Sequence, residues 1–282
     1  MKRRGGFTLV ELIVVMVIIG ILAGTLTIYF VPAIQNYLAV QRRANLTDMV
    51  DGAVRNMTRD IRAAVANSIR SPNTQCFELV PAAAGGRYRK AADTATNASR
   101  WVDPLEPVTV FDVLSPLATA PAVGDFVVIN NQNTDDVYSG ASRSTVTKVE
   151  DIPAETGTTR LTIAALNIAA GYDNARFATV PAAQQAVFYF CAGADDLLNA
   201  NGDGNGILYR ASGYDFNANA NACPAVNDKA RIVATKVQSC AFSYQPNIGN
   251  TTATGYMQLQ LRLTEKNESV QILVGTHADN TP

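Results

Sequence analysis

Apolar and polar residues follow three different patterns along the chain, and each pattern predicts a different kind of structure. Residues 7–31 form an apolar run in which Glu11 is the only charged residue. Residues 32–70 are amphipathic, because apolar residues recur every three or four positions, the spacing of one helix face. From 71 to 282, apolar and polar residues alternate in short segments separated by turns. The patterns predict an α+β fold, with a long N-terminal helix packed on an antiparallel β-rich domain.

The amphipathic segment is expected to pack its apolar face on the β-rich domain and to end near residue 67, because Ser71-Pro72 follows. We therefore expect one helix of about 60 residues that begins in an apolar environment and ends on a folded domain. The expected packing face consists of Met49, Val50, Ala53, Val54, Met57, Ile61, Ala64 and Val65.

The β-rich segment contains ten candidate strands. The clearest are the last two, where alternating apolar residues in 255–264 and 268–276 flank the turn at Glu265, Lys266 and Asn267, which predicts an antiparallel hairpin with one buried face. Loops rich in Ala, Asn, Gly and Thr are expected at 82–99, 130–144, 192–205 and 217–227. The other candidate strands are 76–80, 108–114, 125–130, 145–150, 160–163, 186–191, 206–212 and 231–244.

The apolar run 7–31 is long enough to cross a membrane. As a helix it would span about 37 Å at ~1.5 Å per residue, which exceeds the ~30 Å hydrocarbon core. Basic residues occupy positions 2–4, so the positive-inside rule places the N-terminus in the cytoplasm and the following domain outside it. A cleaved secretory signal would need small residues after the run, where the chain has Tyr29-Phe30-Val31-Pro32. A plain anchor explains the run and its basic flank, but not the carboxylate within it.

Glu11 requires a partner if it lies within the hydrocarbon, where a carboxylate costs roughly 2.5–3.5 kcal/mol on insertion scales. No Lys, Arg or His lies within 7–31, so a cation must come from another chain or from a new N-terminus. A carboxylate that snorkels to the membrane edge is the alternative, and it needs no such partner.

The segment 6–12, GFTLVEL, resembles the processing motif of type IV pilins and type II secretion pseudopilins. The match consists of a glycine, an aromatic residue, and a glutamate at the fifth position after the cut. The resemblance implies that residues 1–6 are a leader, that a prepilin peptidase cleaves between Gly6 and Phe7, and that Phe7 is N-methylated. It also implies that Glu11 pairs with the Phe7 ammonium group of a neighbouring subunit.

One position departs from the pattern of that superfamily. Many pilins carry a helix-breaking proline at the position of Ile28, whereas this chain has Pro32 just beyond the apolar run. Gly20 and Gly24 remain as points where the helix is expected to bend most easily.

The rest of the chain resembles particular members of the superfamily. The large β-rich domain is similar to minor pseudopilins of the J or W type, and 276–282 resembles the ending of MshO proteins of mannose-sensitive haemagglutinin (MSHA) pilus systems. These resemblances imply a structural subunit that helps to initiate or cap assembly of an MSHA-like type IV pilus. They imply as partners other minor and major pilins, the prepilin peptidase and an inner-membrane assembly platform. The subunit would be a single-pass inner-membrane protein with a periplasmic domain, and later part of a surface pilus.

Two alternatives share this N-terminal chemistry. The first is a minor pseudopilin of a type II secretion system, and the second is a pilus-tip adhesin or binding module. An exposed aromatic or basic pocket in loops such as 82–101 would favour the second. Trp101, the only tryptophan, could anchor a partner there, although covering part of the core is the simpler interpretation.

Charge and composition argue against two other function classes. The formal net charge is −1, from 23 Lys and Arg and 24 Asp and Glu, and no basic stripe with interleaved aromatic residues occurs, so nucleic-acid binding is not expected. His277 is the single histidine, near the C-terminus and expected to be exposed, which is a poor position for a catalytic imidazole. We expect no enzymatic activity.

Four cysteines are present, and no pair has the CxxC spacing of a zinc or redox site. An exported domain lies in an oxidising compartment, which favours disulfides, and four cysteines allow three pairings. Cys191–Cys223 is favoured because it would close the Asn/Gly-rich segment between them. Cys76–Cys240 would then connect the end of the long helix to a late strand.

A weak calcium-binding candidate occurs between residues 199 and 206. Asn199, Asn201, Asp203 and Asn205 place oxygen side chains at alternate positions, as at the start of a calcium loop. The twelfth position from Asn199 is Arg210, where an EF-hand requires glutamate, so a turn-rich hairpin loop is the favoured interpretation. No other cofactor is expected.

Overall fold

The computed structural model describes residues 8–94, 98–168, 174–246 and 254–281. It confirms the α+β fold, because one long N-terminal helix packs on antiparallel sheet. The elements described, in chain order, are α1 (Leu9–Arg62), β1 (Arg70–Asn73), β2 (Cys76–Leu79), β3 (Ala84–Arg87), β4 (Val108–Val113), β5 (Phe126–Ile129), α2 (Thr134–Ser139), β6 (Arg143–Asp151), β7 (Thr159–Leu166), β8 (Arg176–Val180), β9 (Val187–Ala192), β10 (Gly206–Ser212), β11 (Ala230–Gln245), β12 (Thr254–Glu265) and β13 (Glu268–Asp279).

A seven-stranded antiparallel sheet in the order β1-β2-β9-β10-β11-β12-β13 carries the second half of α1 on one face. The strand residues beneath the helix include Phe77, Tyr189, Phe242, Met257 and Leu261, all fully buried. Burying each large apolar side chain contributes about 1.5–3 kcal/mol, so this contact is the main core of the protein. The buried residues of α1 are Leu46, Val50, Ala53, Val54, Met57 and Ile61, which confirms most of the predicted apolar face.

The helix ends at Arg62, several residues before the predicted end near 67 and the domain boundary at 70. The backbone N–H of Val65 donates to the carbonyl of Val80 (2.8 Å) rather than continuing the helix. Asn67 adopts a left-handed conformation (φ 58°), which is incompatible with continuing a right-handed helix. Ser71-Pro72, expected to end the helix, lies inside β1 instead.

The β12–β13 hairpin is present as predicted. Its strands pair without interruption from Thr254–Asp279 to Glu265–Glu268. Lys266 and Asn267 form the turn with positive φ at both positions, as a two-residue hairpin turn requires.

A second unit, which the sequence patterns did not separate, is inserted between β2 and β9. Its six strands follow the order β3-β8-β5-β6-β7-β4. A bridge between Tyr88 and Val113 and a hydrogen bond from the Leu114 N–H to the Arg87 carbonyl (2.8 Å) connect the two outer strands, so the sheet closes into a small barrel. The described residues from Arg70 onward thus form one sheet plus an inserted barrel. The barrel has its own buried core of Tyr88, Val102, Val108, Phe111, Val113, Val127, Ile129, Val146, Leu161, Ile163, Leu166 and Phe177.

One buried ion pair connects two strands of the barrel. Asp112 on β4 is fully buried, and Arg160 on β7 donates to both of its carboxylate oxygens, at 2.6 and 3.1 Å. The backbone N–H of Arg100 donates a further hydrogen bond (2.7 Å). Because each oxygen is satisfied, the charge is tolerated inside the fold, whereas loss of one partner would leave a buried charge uncompensated.

A polar cluster holds the barrel against the sheet. Glu78 on β2 is fully buried and accepts hydrogen bonds from Arg70 (2.6 Å) and from the Tyr214 hydroxyl (2.7 Å). The Arg70 guanidinium also lies 3.6 Å from the ring centre of Tyr138, whose hydroxyl donates to the Ser68 carbonyl (2.8 Å). Burial raises the pKa of Glu78, although the hydrogen bond from Tyr214 and the charge of Arg70 oppose the rise.

Each of the ten candidate strands corresponds to a strand of the structure, namely β2, β4, β5, β6, β7, β9, β10, β11, β12 and β13. The strands that were not predicted lack a plain apolar pattern. β1 contains Ser71-Pro72, β3 has the sequence AGGR, and β8 follows an Ala/Asn-rich segment. Helix α2 lies in the segment 130–144, which was predicted to be a loop.

The predicted disulfide pairing is wrong, because the described bonds are Cys76–Cys223 and Cys191–Cys240. Strand alternation explains the difference. Cys76 pairs with Phe190, so Cys191 faces the opposite side of the sheet. Cys191 and Cys240 lie in the core under α1, whereas Cys76 and Cys223 lie with the cluster on the other face. All four cysteines form disulfides, as expected for an exported domain.

We expect a non-reducing proteolytic digest to contain peptides linked through Cys76–Cys223 and Cys191–Cys240. Replacing both cysteines of either pair with alanine should lower the free energy of unfolding by about 2–4 kcal/mol. Mass spectrometry of the digest and urea titration would measure the two effects. A peptide that joins Cys191 to Cys223 in the unmodified protein would contradict the described connectivity.

Glu78 predicts a pH dependence of stability. Its folded pKa is raised above the ordinary value of 4.5, so its contribution is full below that value and is lost as the pH rises through the folded pKa. The variant Glu78→Gln stays neutral, so the stability of the wild type relative to the variant should fall as the pH rises above 4.5 towards the raised folded pKa. Urea titration at several pH values measures this difference. A difference that grows with pH would mean that pairing with Arg70 outweighs burial.

Candidate assembly site

The first half of α1 presents apolar side chains that the rest of the described chain does not cover. Large apolar residues are exposed throughout it, from Leu9 to Val40. Among the described residues, α1 is the one helix long and apolar enough to cross a membrane, and none of its most apolar stretch is buried. A helix that is apolar on all sides requires lipid or other helices around it.

The N-terminus of α1 is closed by a reciprocal pair of side-chain hydrogen bonds. The Thr8 hydroxyl accepts from the backbone N–H of Glu11 (3.3 Å), and the Glu11 carboxylate accepts from the backbone N–H of Thr8 (3.0 Å). This capping box holds the carboxylate at the positive end of the helix dipole. The carboxylate therefore lies beside the start of the helix, where a cation on a neighbouring chain could reach it.

Gly6 and Phe7 lie outside the described residues. The cleavage position, the methylation of Phe7 and the pairing of Glu11 with a Phe7 ammonium group stay predictions.

The helix continues through Pro32 without interruption. A proline has no N–H, so it leaves the carbonyl four residues earlier, that of Ile28, without its usual helical donor. Gly20 and Gly24 also lie within the continuous helix, and a Cβ at either would meet no atom within 4 Å. The apolar half is therefore helical without a break, and these positions remain the ones where it is expected to bend most easily.

Polar contacts fix the second half of α1 to the sheet. Arg43 pairs with Glu268 at the start of β13 (2.5 Å), and Asp60 accepts from the Tyr189 hydroxyl (2.8 Å) and from Arg210 (2.9 Å). Together with the buried apolar face, these contacts set the direction in which the exposed half leaves the head, meaning the folded part from residue 63 onward.

In the loop considered as a calcium site, side-chain oxygens of Asn199 and Asp203 already accept hydrogen bonds from other parts of the protein and from the loop itself. Asn199 accepts from the backbone N–H groups of Asn201 and Asp203, and Asp203 accepts from the Lys266 N–H (2.8 Å) and the Lys236 ammonium (3.0 Å). These two donors lower the pKa of Asp203. Among the described residues, no group of three or more His, Cys, Asp or Glu side chains could hold a metal. Calcium binding at Asn199, Asn201, Asp203 and Asn205 stays a prediction, and these contacts favour the hairpin interpretation.

His277 is exposed, as expected, but it lies within β13 rather than in a loose terminus. Its ring centre is 5.4 Å from that of Tyr256 on β12.

Trp101 lies on the barrel and is 41% exposed, while its neighbour Val102 is buried in the barrel core. Trp101 therefore belongs to the surface of the barrel more than to its core.

The role of Asn280 was not foreseen. It is buried, and its side chain accepts from the Asn67 N–H (3.3 Å) and donates to the Tyr244 hydroxyl (3.0 Å) and the Pro246 carbonyl (2.8 Å). The C-terminal segment thus holds the exit of α1 in place. An asparagine at a left-handed position such as Asn67 is a recognisable signal, but its partner 213 residues away is not.

Comparison with known proteins identifies the N-terminal segment. Residues 1–27 match the family model described as the prokaryotic N-terminal methylation motif. No curated protein and no solved structure matches the chain. The motif supports a type IV pilin-like or pseudopilin protein, and it implies processing by prepilin peptidase and assembly with other pilins. The apolar helix that follows fits the membrane anchor typical of prepilins.

Proposed function

We propose that the protein is a minor pilin or pseudopilin, a structural subunit that helps to initiate or cap an MSHA-like type IV pilus. The observation that carries this proposal is the methylation motif at residues 1–27, which includes the start of a helix with an uncovered apolar half. A simple anchor would need the apolar helix alone. Filament assembly accounts in addition for the methylation motif and for the capped carboxylate of Glu11.

In this proposal the apolar half of α1 first spans the inner membrane, with the N-terminus in the cytoplasm and the head in the periplasm. Cleavage after Gly6 creates an amine at Phe7, which remains cationic after methylation. Glu11 of one subunit pairs with that amine on a neighbour, and the low dielectric of the surroundings strengthens the attraction. The apolar halves then pack on each other as the subunits leave the membrane.

The size of the head supports a position at or near the tip. The inserted barrel enlarges the head well beyond the seven-stranded sheet that α1 requires. A bulky subunit is harder to repeat along a narrow shaft. The retained Glu11 supports a subunit that joins an existing neighbour.

A type II secretion pseudopilus would use the same N-terminal chemistry and is the alternative assembly. The identity of the genes next to this one distinguishes the two assemblies.

We expect gold-labelled antibodies against the head to mark one end of the native pili, in few copies per filament. Electron microscopy measures the distribution. Label spaced uniformly along the fibre would contradict a role in initiation or capping.

We also expect the chain, when co-expressed with its prepilin peptidase, to begin at N-methylated Phe7. Gly6→Val should abolish cleavage, whereas Gly5→Val serves as a matched control that leaves it intact. Intact-mass and peptide mass spectrometry measure the mature N-terminus. Retention of residues 1–6 in the wild type with an active peptidase would overturn the proposed function.

Glu11→Gln separates processing from assembly in the same strains. The variant keeps the size of the side chain but removes its charge, so it should be cleaved normally and yet be lost from sheared pili. Normal incorporation of this variant would show that the ion pair is not needed.

A further inference from the structure

The two edges of the seven-stranded sheet are built in different ways. The β1 edge is four residues long, contains Pro72, and is interrupted by a register shift between Arg70 and Asn73. The carbonyl of Thr74, in the turn that follows, also accepts from the N–H of Phe242 (2.7 Å). Short length, proline and irregularity are the means by which proteins prevent an edge from pairing with other strands.

The β13 edge has none of these protections. All twelve of its residues pair with β12 in one unbroken register, from Glu268 to Asp279. No Lys, Arg or Pro lies between those two residues. Among the described residues, no backbone hydrogen bond reaches β13 except those from β12. A long, regular edge with free N–H and C=O groups is a template for another strand.

The core under α1 is also incomplete at this edge. Leu263, Leu261 and Leu259 on β12 are fully buried, whereas the residues opposite them on β13, Val270, Ile272 and Val274, are only partly buried. The free edge therefore leaves an aliphatic row partly open to water. An added strand with aliphatic residues in the same row would cover it and gain roughly 25 cal/mol per Å² of buried apolar surface.

A groove of about 340 Å³ lies at the C-terminal end of β13, between this strand, the exit of α1 and the barrel. Its charged lining residues are Arg62, Arg176 and Asp279, so the lining carries a net positive charge. The apolar part of the lining includes Phe177 and Val128. A strand that follows the β13 edge would lead into this groove, where an acidic group would find two guanidinium groups.

We propose that the β13 edge binds an extended segment of a different pilin-like subunit by strand addition, with an acidic residue of that segment in the adjoining groove. The segment would alternate aliphatic residues, placed beneath α1, with polar residues on the opposite face. Main-chain hydrogen bonds would supply affinity, and the aliphatic row and groove would supply selectivity.

A second copy of this chain is the competing occupant. Antiparallel pairing of two β13 edges about a twofold axis would place both α1 helices on one face and pointing in opposite directions. Two such helices could not enter the same membrane side by side with the same orientation. This exclusion rests on the proposed function, because it assumes that α1 is the membrane anchor.

Hydrogen exchange with residue resolution tests the proposal on the full-length chain in detergent micelles. The probe is a synthetic peptide that alternates valine with threonine and carries aspartate at both ends, so that either strand direction places one aspartate at the groove, and it is compared with a scrambled peptide of the same composition. We expect the alternating peptide to slow every second amide of β13 by at least about tenfold, while β12, already paired on both sides, is unchanged. Equal effects of both peptides, or none at any soluble concentration, would overturn the proposal. Protection of β13 in the protein alone that increases with its concentration would identify a second copy as the occupant, and would overturn it too.

Two neighbouring substitutions distinguish strand addition from general surface binding. In Ile272→Lys the ammonium can reach water past the free edge, but an added strand would trap it beneath α1. In Leu273→Lys, a matched control on the 58% exposed opposite side, the ammonium stays in water either way. We expect the first to weaken peptide binding at least about tenfold and the second by less than about threefold. Exchange of the β12 amides confirms that each variant is folded, and the wild-type peptide experiment decides the question if Ile272→Lys is not. Equal effects of the two substitutions would count against the proposal.

The peptide experiment, combined with the processing and pilus-incorporation experiments described above, separates this proposal from the proposed function. A chain that is cleaved at Gly6 and enters pili, but whose edge binds no strand, refutes strand addition and leaves the pilin role intact. A chain whose edge binds the peptide, but which is never processed, refutes the pilin role and leaves the binding site in place.

Discussion

The contact between the second half of α1 and strands β11–β13 is the constraint on which the other features depend. A single continuous helix has to satisfy two environments, because its first half is apolar on all sides and its second half on one side only. The buried stripe from Leu46 to Ile61 fixes the helix on the sheet, and the exposed half then extends from the head in a set direction. Thr8 and Glu11 lie at the far end of that extension, so the position of the assembly carboxylate relative to the head is decided by packing about forty residues away.

The features that could be predicted from the sequence are those that one segment of the chain determines by itself. The apolar run, the stripe on α1 and the alternating strands each follow from a period that one segment carries by itself, and β10 matches its predicted bounds at both ends. The end of α1 depended instead on the hydrogen bond from Val65 to Val80, the residue that follows β2. The disulfide pairing depended on which face of the sheet each cysteine occupies, and the Asn/Gly-rich composition of the segment between Cys191 and Cys223 carries no information about that. The barrel was missed because β3 and β8 have weak patterns and because closure is a property of six strands together.

The candidate site also has a part that the sequence predicted and a part that only the structure reveals. The motif around Gly6, Phe7 and Glu11 is contiguous, so the sequence alone indicated it, and the family model covers the same segment. Asn280 and the unprotected edge of β13 could not be found in this way. Asn280 matters because of Asn67, far away in the chain, and β13 is an edge because, in the part of the chain that the structure describes, only β12 pairs with it. The loop at 199–206 shows the reverse case. Its sequence locally resembles a calcium site, but Lys236 from another strand donates a hydrogen bond to the Asp203 carboxylate.

The barrel enters and leaves the sheet at a single position. Leu79, the last residue of β2, is paired directly with Val187, the first residue of β9, so the inserted unit begins and ends within one rung of the ladder. In topological terms the barrel is an enlarged turn of a β-hairpin, and the rest of the ladder has the same connectivity with a tight turn in its place. Subunits built on this plan can therefore differ greatly in the bulk and surface that they display while keeping one spine, one sheet and one geometry of assembly.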